Sequence, residues 1–143
     1  MAQHLEEAEQ AAVMEWAAYR RAPLGPLRRW IVAIPNGAYL AGTPGQRIAQ
    51  MARLKKAGLR PGAADFFVMV AVGGWHGLWV EMKKRRNQFR SAREASASVS
   101  PAQAQFREDA TAAGYRHAVC YGFEEATEQI GRYLEGTFIE EPS

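Results

Sequence analysis

The sequence predicts a three-layer α/β domain: a short mixed sheet with helices on both sides. Three observations lead there. The chain has 143 residues, room for one domain and one hydrophobic core. Helical and strand patterns succeed one another in the order α-β-α-β-β-α-β-α. The apolar run 65–72 (DFFVMVAV) is followed, after a glycine-rich turn, by a second strand pattern at 78–83 (LWVEMK). The first of these reads as a strand buried on both faces, and the pair as the centre of the sheet.

Each element has its own signal. In 5–20 (LEEAEQAAVMEWAAYR), Leu5, Val13 and Trp16 follow a helical stripe, with acids early where the macrodipole favours them. Pro23, Gly25 and Pro26 break that helix. Aromatic and β-branched residues make 29–34 (RWIVAI) a strand, closed by Pro35-Asn36-Gly37. Thr43-Pro44 starts a helix that Gly58 stops. Ile48, Met51, Ala52 and Leu54 are its expected inner face, with Arg47, Arg53, Lys55 and Lys56 projecting. Gly73 to Gly77 form a hairpin turn between the two central strands. Residues 84–99 are basic, serine-rich and without a period, so an exposed loop is expected. Ser100-Pro101 caps a helix to Ala113, a strand covers 116–121, and an acidic helix runs from Phe123 to Leu134.

Composition excludes several classes. Of the 48% hydrophobic residues, 26 are alanine, so the core leans on four Trp, six Phe, five Tyr and scattered aliphatics. No run approaches the ~20 apolar residues of a membrane span, and no signal-peptide pattern opens the chain. Cys120, the single cysteine, cannot form an internal disulfide, in keeping with a reducing compartment. The expectation is a soluble cytoplasmic protein. Its net charge of +3 conceals a pattern. Residues 20–64 carry nine bases and no acid, and residues 81–107 carry seven bases against Glu81 and Glu94. Acidic ends offset both blocks. Clustered Lys and Arg are the footprint of a polyanion binder.

The chemistry-bearing residues lie between these blocks. Side chains alternate along a strand, so Glu81 and Lys83 share a face while Met82 points away. Asp65 opens the preceding strand, and the hairpin returns Glu81 close to it. Two carboxylates beside a lysine suit Mg²⁺ or Mn²⁺, which bind carboxylates together with substrate phosphate oxygens. Such an ion activates water and neutralises charge developing on a phosphate. A charge on the otherwise apolar strand around Glu81 needs a partner or a purpose. Other constellations are weaker. His4, His76, His117 and Cys120 lack zinc-ligand spacing, and His117 and Cys120 fall on a core strand. The run GTPGQR lacks the Gly-Lys-Ser/Thr of a P-loop. Of the four tryptophans, Trp75, on a turn read as lying beside the site, is the one suited to DNA stacking or a subunit interface.

Several ordered blocks then match together: Ile34-Pro35-Asn36-Gly37, 53–65 (RLKKAGLRPGAAD), 79–83 (WVEMK) and Ser100-Pro101-Ala102-Gln103. With them the chain resembles the virus-type replication-repair nuclease (VRR-NUC) domain, stand-alone phage and bacterial type, of the PD-(D/E)xK nuclease superfamily. The likeness runs from Glu7-Ala8-Glu9-Gln10 to the last strand and helix, so 1–143 reads as one domain on a restriction-endonuclease-like core. The resemblance implies that Asp65, Glu81 and the Met82 carbonyl bind a divalent metal, Mg²⁺ or Mn²⁺, and that Lys83 is catalytic. It places Gln103 on a helix facing the site and makes Glu7 the first-helix acid supporting the metal, with Glu6 or Glu9 the alternatives under a register shift. Asn36 and Gly37 match a motif turn. Two features depart from the family pattern: Ala64 stands where a proline is usual, and 84–99 exceeds the usual short link. The basic candidates for DNA contact are Arg53, Lys55, Lys56, Arg60, Lys84, Arg85, Arg86, Arg90 and Arg93. The implied activity is structure-specific cleavage of branched DNA by a homodimer resembling Holliday-junction resolvases. A non-catalytic DNA-binding scaffold and a restriction-type duplex endonuclease are the alternatives.

Overall fold

A computed structural model of the chain describes residues 2–35 and 40–140. The expected motif turn at Asn36 and Gly37 lies outside the described residues. Helix α1 (Ala2–Ala17) leads into a two-residue ribbon, β1 (Arg21–Ala22) and β2 (Gly25–Pro26), then a 3-10 turn at Leu27–Trp30 and strand β3 (Ile31–Ala33). Next come α2 (Pro44–Lys56), β4 (Phe66–Val68) and β5 (Leu78–Lys83). After a second 3-10 turn (Arg86–Gln88) follow α3 (Ala92–Ala97), α4 (Pro101–Ala112), β6 (Arg116–Tyr121) and α5 (Phe123–Glu135).

The main sheet has the order β3-β4-β5-β6. Its first two pairings are antiparallel and β5–β6 is parallel, so the sheet is mixed and β4 and β5 are its centre. A parallel pair needs a crossover, and 84–115 provides it with α3 and α4. Strand alternation then sorts the side chains. Leu78, Val80 and Met82 join Phe66, Val68, Cys120, Val13, Ala126, Ile130 and Tyr133 in the main core under α1 and α5. Trp79, on the opposite face, meets Ala64, Phe106 and Ala110 of a smaller cluster built on α4. The three layers are α1 with α5, the sheet, and α4.

Four expectations are corrected. The strand at 29–34 shrinks to Ile31–Ala33, because Leu27–Trp30 turns inward as a 3-10 segment with Leu27 fully buried. The run 65–72 is laddered only at Phe66–Val68; Phe66, Val68 and Val70 are buried while Met69 is exposed, so one face, not two, is covered. The inner face expected of α2 is absent: no residue of the helix is buried, and Ile48 is 72% exposed. No described element packs against it closely enough to cover that stripe.

The fourth correction concerns 84–99, which is largely exposed as expected but ordered into a 3-10 turn and α3 rather than an open loop. Ser91 caps α3 by accepting from the Glu94 N–H at 3.1 Å, and Ala95 is buried. The Tyr121 hydroxyl donates to the Ala95 carbonyl at 3.0 Å, and Lys84 lies over the Phe89 ring at 4.5 Å. A helix of six residues is too short to show a period, which is why the pattern concealed it.

His117 on β6 is 1% exposed and faces Phe106. Burial, then the nearby Arg107 charge, pushes its pKa down to about 4 from the usual 6.5. The folded state therefore binds this proton less readily than the unfolded chain. Stability from the neutral ring is complete above about pH 6.5 and is lost as pH falls toward 4. The expected loss is about 2 kcal/mol by pH 4.5. Urea midpoints at pH 7 and 4.5 check it: wild type should fall further than His117→Phe by roughly that amount.

Candidate active site

Asp65 stands one residue before β4, and the register pairing Phe66 with Val80 sets it opposite Glu81. Its backbone carbonyl accepts from Ile34 N–H at 2.8 Å, and its Oδ2 accepts from Met82 N–H at 2.6 Å. The aspartate is thus fixed at the sheet end by the strands on either side. Glu81 is 4% exposed and Lys83 5%, both on the Trp79 face of β5, while Met82 turns into the main core. Asp65 and Glu81 lie side by side and interact directly. Burial is the main cause raising both carboxyls above the usual range; Asp65 raises Glu81 further, whereas Glu81, the Met82 N–H and Lys83 pull Asp65 back down. Two carboxyls so placed do not both ionise unless a positive charge joins them.

The lysine is held by groups from the crossover. Lys83 Nζ donates to the Ser98 carbonyl at 2.8 Å and to Gln103 Oε1 at 3.1 Å. Gln103 Oε1 also accepts from Ser100 N–H at 3.0 Å, while Ser100 Oγ accepts from Gln103 N–H at 3.1 Å. One glutamine thus closes the capping box of α4 and fixes the lysine head. The loop before Asp65 docks on the same helix start. Gly62 has φ +85, and a Cβ there would lie 2.7 Å from the Gln103 nitrogen, so this Pro-Gly turn needs a glycine.

Of the first-helix acids, Glu6, one of the expected alternatives, feels the charges of Lys83, Asp65 and Lys84, after the burial that raises its pKa. Glu7 lies toward His4, 3.7 Å away. Glu9 is buried and ion-paired with Arg85, and its Oε2 accepts from Phe123 N–H at 3.0 Å at the start of α5. A usable signal existed. The buried positions Val13 and Ala17, stepped back by helical spacing, give Glu9 and Glu6 rather than Glu7. Glu9→Ala is expected to cost about 2 kcal/mol by urea denaturation, since it removes an ion pair and a helix-start acceptor together. Glu7→Ala should cost nothing or stabilise slightly, because Glu7 Oε1 is buried without a hydrogen-bond partner.

The basic candidates divide. Arg60 pairs with Asp109, Arg85 with Glu9 and Arg86 with Glu125, so these three direct charge at the protein's own carboxylates. Among the described residues no ion pair engages Arg53, Lys55, Lys56, Arg90 or Arg93. Trp75 is not beside the site. It precedes β5, whose far end carries Glu81, and its ring is covered by Arg116 at 4.1 Å. A cavity of about 790 Å³ lies elsewhere, lined by neither carboxylate nor by Lys83.

Among the described residues no three His, Cys, Asp or Glu side chains gather as a metal-holding group. The arrangement is instead two adjacent carboxylates, a positioned lysine and an amide at one end of the central strands of a mixed sheet. With its layers, that defines a nuclease-fold protein. No family model and no curated protein matches the sequence. A solved structure of a VRR_NUC domain protein does match the fold: 25% identity, a TM-score of 0.71, and coverage of 91% of this chain and 88% of that one. The chain has the VRR-NUC nuclease fold. No described helix is long and apolar enough to cross a membrane.

Proposed function

We propose that the chain is a metal-dependent, structure-specific DNA endonuclease that hydrolyses phosphodiester bonds in branched DNA. The observation that carries this reading is the half-buried Asp65 beside the buried Glu81, with Lys83 fixed next to them. Two carboxyls that burial and mutual repulsion keep from ionising together need a cation before both can be charged. Their donors are all oxygen, which fits Mg²⁺ or Mn²⁺ held by Asp65, Glu81 and the Met82 carbonyl, the remaining positions going to water and phosphate oxygens. Bound there, the ion would neutralise phosphate charge and acidify water. Lys83 then donates from Nζ toward the oxygens that gain charge on phosphorus, in the orientation that Ser98 and Gln103 impose. Glu6 adds negative charge at the same end of the sheet.

Arg53, Lys55 and Lys56, in the last turn of α2, and Arg90 and Arg93 are the side chains suited to backbone phosphates, which position DNA without reading sequence. Two cuts at a junction require two sites, and each chain offers one, so the active unit is proposed to be a homodimer; the exposed Ile48 and Leu54 of α2 support association. A labelled panel of four-way junctions, flaps, splayed arms and linear duplex, each with Mg²⁺ or Mn²⁺, tests the reading. Cutting at the branch supports it, whereas defined cuts in unbranched duplex favour a restriction-type enzyme. Replacing Arg53, Lys55 and Lys56 together by alanine should flatten the salt dependence of DNA binding by up to about three phosphate contacts. Arg85→Ala should leave that slope unchanged, because its partner is Glu9.

A further inference from the structure

Between α4, β6, α5 and the segment after α5 lies the cavity of about 790 Å³. Two of its lining residues carry buried polar atoms without a partner. Neither Nδ1 nor Nε2 of His117 has a hydrogen bond, although the residue is 1% exposed, and Gln129 Oε1 is equally unmatched. Folded proteins leave few such atoms unpaired, and three of them in the lining of one cavity mark a place where another molecule completes the bonds.

The lining indicates the chemistry of that molecule. Burial and Arg107 keep His117 neutral, with a pKa pushed down to about 4, so its ring offers one donor and one acceptor. Gln129 adds an amide of the same mixed character. Arg107 pairs with Glu140 at 3.3 Å and Arg86 with Glu125 at 2.6 Å, so the cations at the rim already have anions. Tyr121 and Phe138 bring aromatic surface to the lining. The combination suits a flat, uncharged heterocycle with donors and acceptors on its edge better than it suits a phosphate.

The position connects this cavity to the carboxylate site. Tyr121 is the ladder partner of Lys83. Ser96 and Val99, also in the lining, flank Ser98, whose carbonyl holds the lysine. We propose that the cavity takes an unpaired nucleobase from the branch of the substrate, hydrogen-bonded by His117 and Gln129. This rests on the nuclease reading above. A base beside a branch is already unstacked, so drawing it into a pocket costs far less than extruding one from continuous duplex. The pocket thereby gives the enzyme a means of telling a branch from a duplex without reading sequence.

The test measures binding, in EDTA so that nothing is cut. Fluorescently labelled splayed-arm DNA is titrated with wild type, His117→Phe and Gln129→Leu, either with normal bases at the branch or with abasic sites in their place. Wild type should prefer the base-containing DNA about tenfold, the scale of lost hydrogen bonds and stacking for one base. The preference should fall below about twofold in each variant that folds, as judged by circular dichroism. Equal wild-type affinity for the two DNAs, with solvent alone filling the cavity, overturns the proposal, as does undiminished preference in the Gln129 variant. The outcome is separable from the nuclease reading: preference without metal-dependent cutting sinks the nuclease, and cutting without preference sinks the pocket.

Discussion

Asp65→Asn is expected to reduce metal-dependent cleavage of branched DNA by about a thousandfold or more, with little change in the sheet. The size follows from what the residue does. Its carboxylate is one of the two carboxylates proposed to hold the divalent ion, and removing one preorganised charge at a reacting phosphate typically costs 10²–10³ in rate. Loss of the ion itself adds to that. Asparagine keeps an oxygen able to accept from Met82 N–H, the 2.6 Å bond that ties β4 to β5, so the comparison separates charge from architecture. Alanine at 65 would remove both. Lys83→Met should lie in the same range of 10² to 10³, since methionine keeps the stem while losing the donor that Ser98 and Gln103 aim. Single-turnover cleavage of a labelled junction measures both, and wild-type rates in either variant would remove that residue from the chemistry.

The second large effect is on stability, and its sign depends on the cation. At saturating Mg²⁺, about a hundred times its dissociation constant, wild type is expected to gain about 3 kcal/mol; Glu81→Gln should gain almost nothing. Without the ion the order reverses and the glutamine variant is the more stable. Burial first, then Asp65, raises the Glu81 carboxyl above its unfolded value. A raised folded pKa contributes stability that is fully present below the unfolded pKa and is lost as pH rises through the folded one. The metal-free advantage of Glu81→Gln should therefore be small near pH 4.5 and grow toward pH 8. His117 acts in the opposite sense at acid pH, so the difference between variant and wild type, in which His117 cancels, is the quantity to follow. Thermal unfolding with EDTA and with Mg²⁺ at two pH values gives all four numbers. A wild type indifferent to the ion would contradict the metal site.

Strong local signals made much of the architecture readable. The alternation in LWVEMK marks β5 over the residues it occupies, Leu78–Lys83. Ser100-Pro101 with Gln103 three positions on is a capping box, and α4 begins there. Period-two geometry also put Glu81 and Lys83 on one face, because alternation is a local property of a strand. What failed were statements about what covers an element. An amphipathic stripe in α2 says that Ile48 and Leu54 share a side, not that the same chain buries it, and here it does not. The basic run 84–99 is solvent-facing, as it looked, yet Arg85 and Arg86 also find Glu9 and Glu125 far along the chain. Long-range ion pairs leave no mark in a local window. The Ser98 carbonyl that holds Lys83 was invisible for a related reason: a backbone oxygen has no residue type to recognise.

The choice of first-helix acid shows the limit most sharply. Matching a short motif gave Glu7 with Glu6 or Glu9 as alternatives, and the structure sets Glu6 within reach of the Asp65 and Lys83 charges and Glu9 in a structural pair. Motif matching aligns letters, whereas a helix sorts residues by angle. At 100° per residue, an error of one position moves a side chain to a different face.

Cleavage of one labelled four-way junction and its matched linear duplex by the wild-type chain and by Asp65→Asn, with Mg²⁺ and with EDTA, tests the central claim most directly. The expected result is cutting near the branch only by wild type and only with the ion, the duplex staying intact. Cutting that persists in Asp65→Asn or in EDTA, or no cutting of the junction by wild type under any divalent ion, would contradict it.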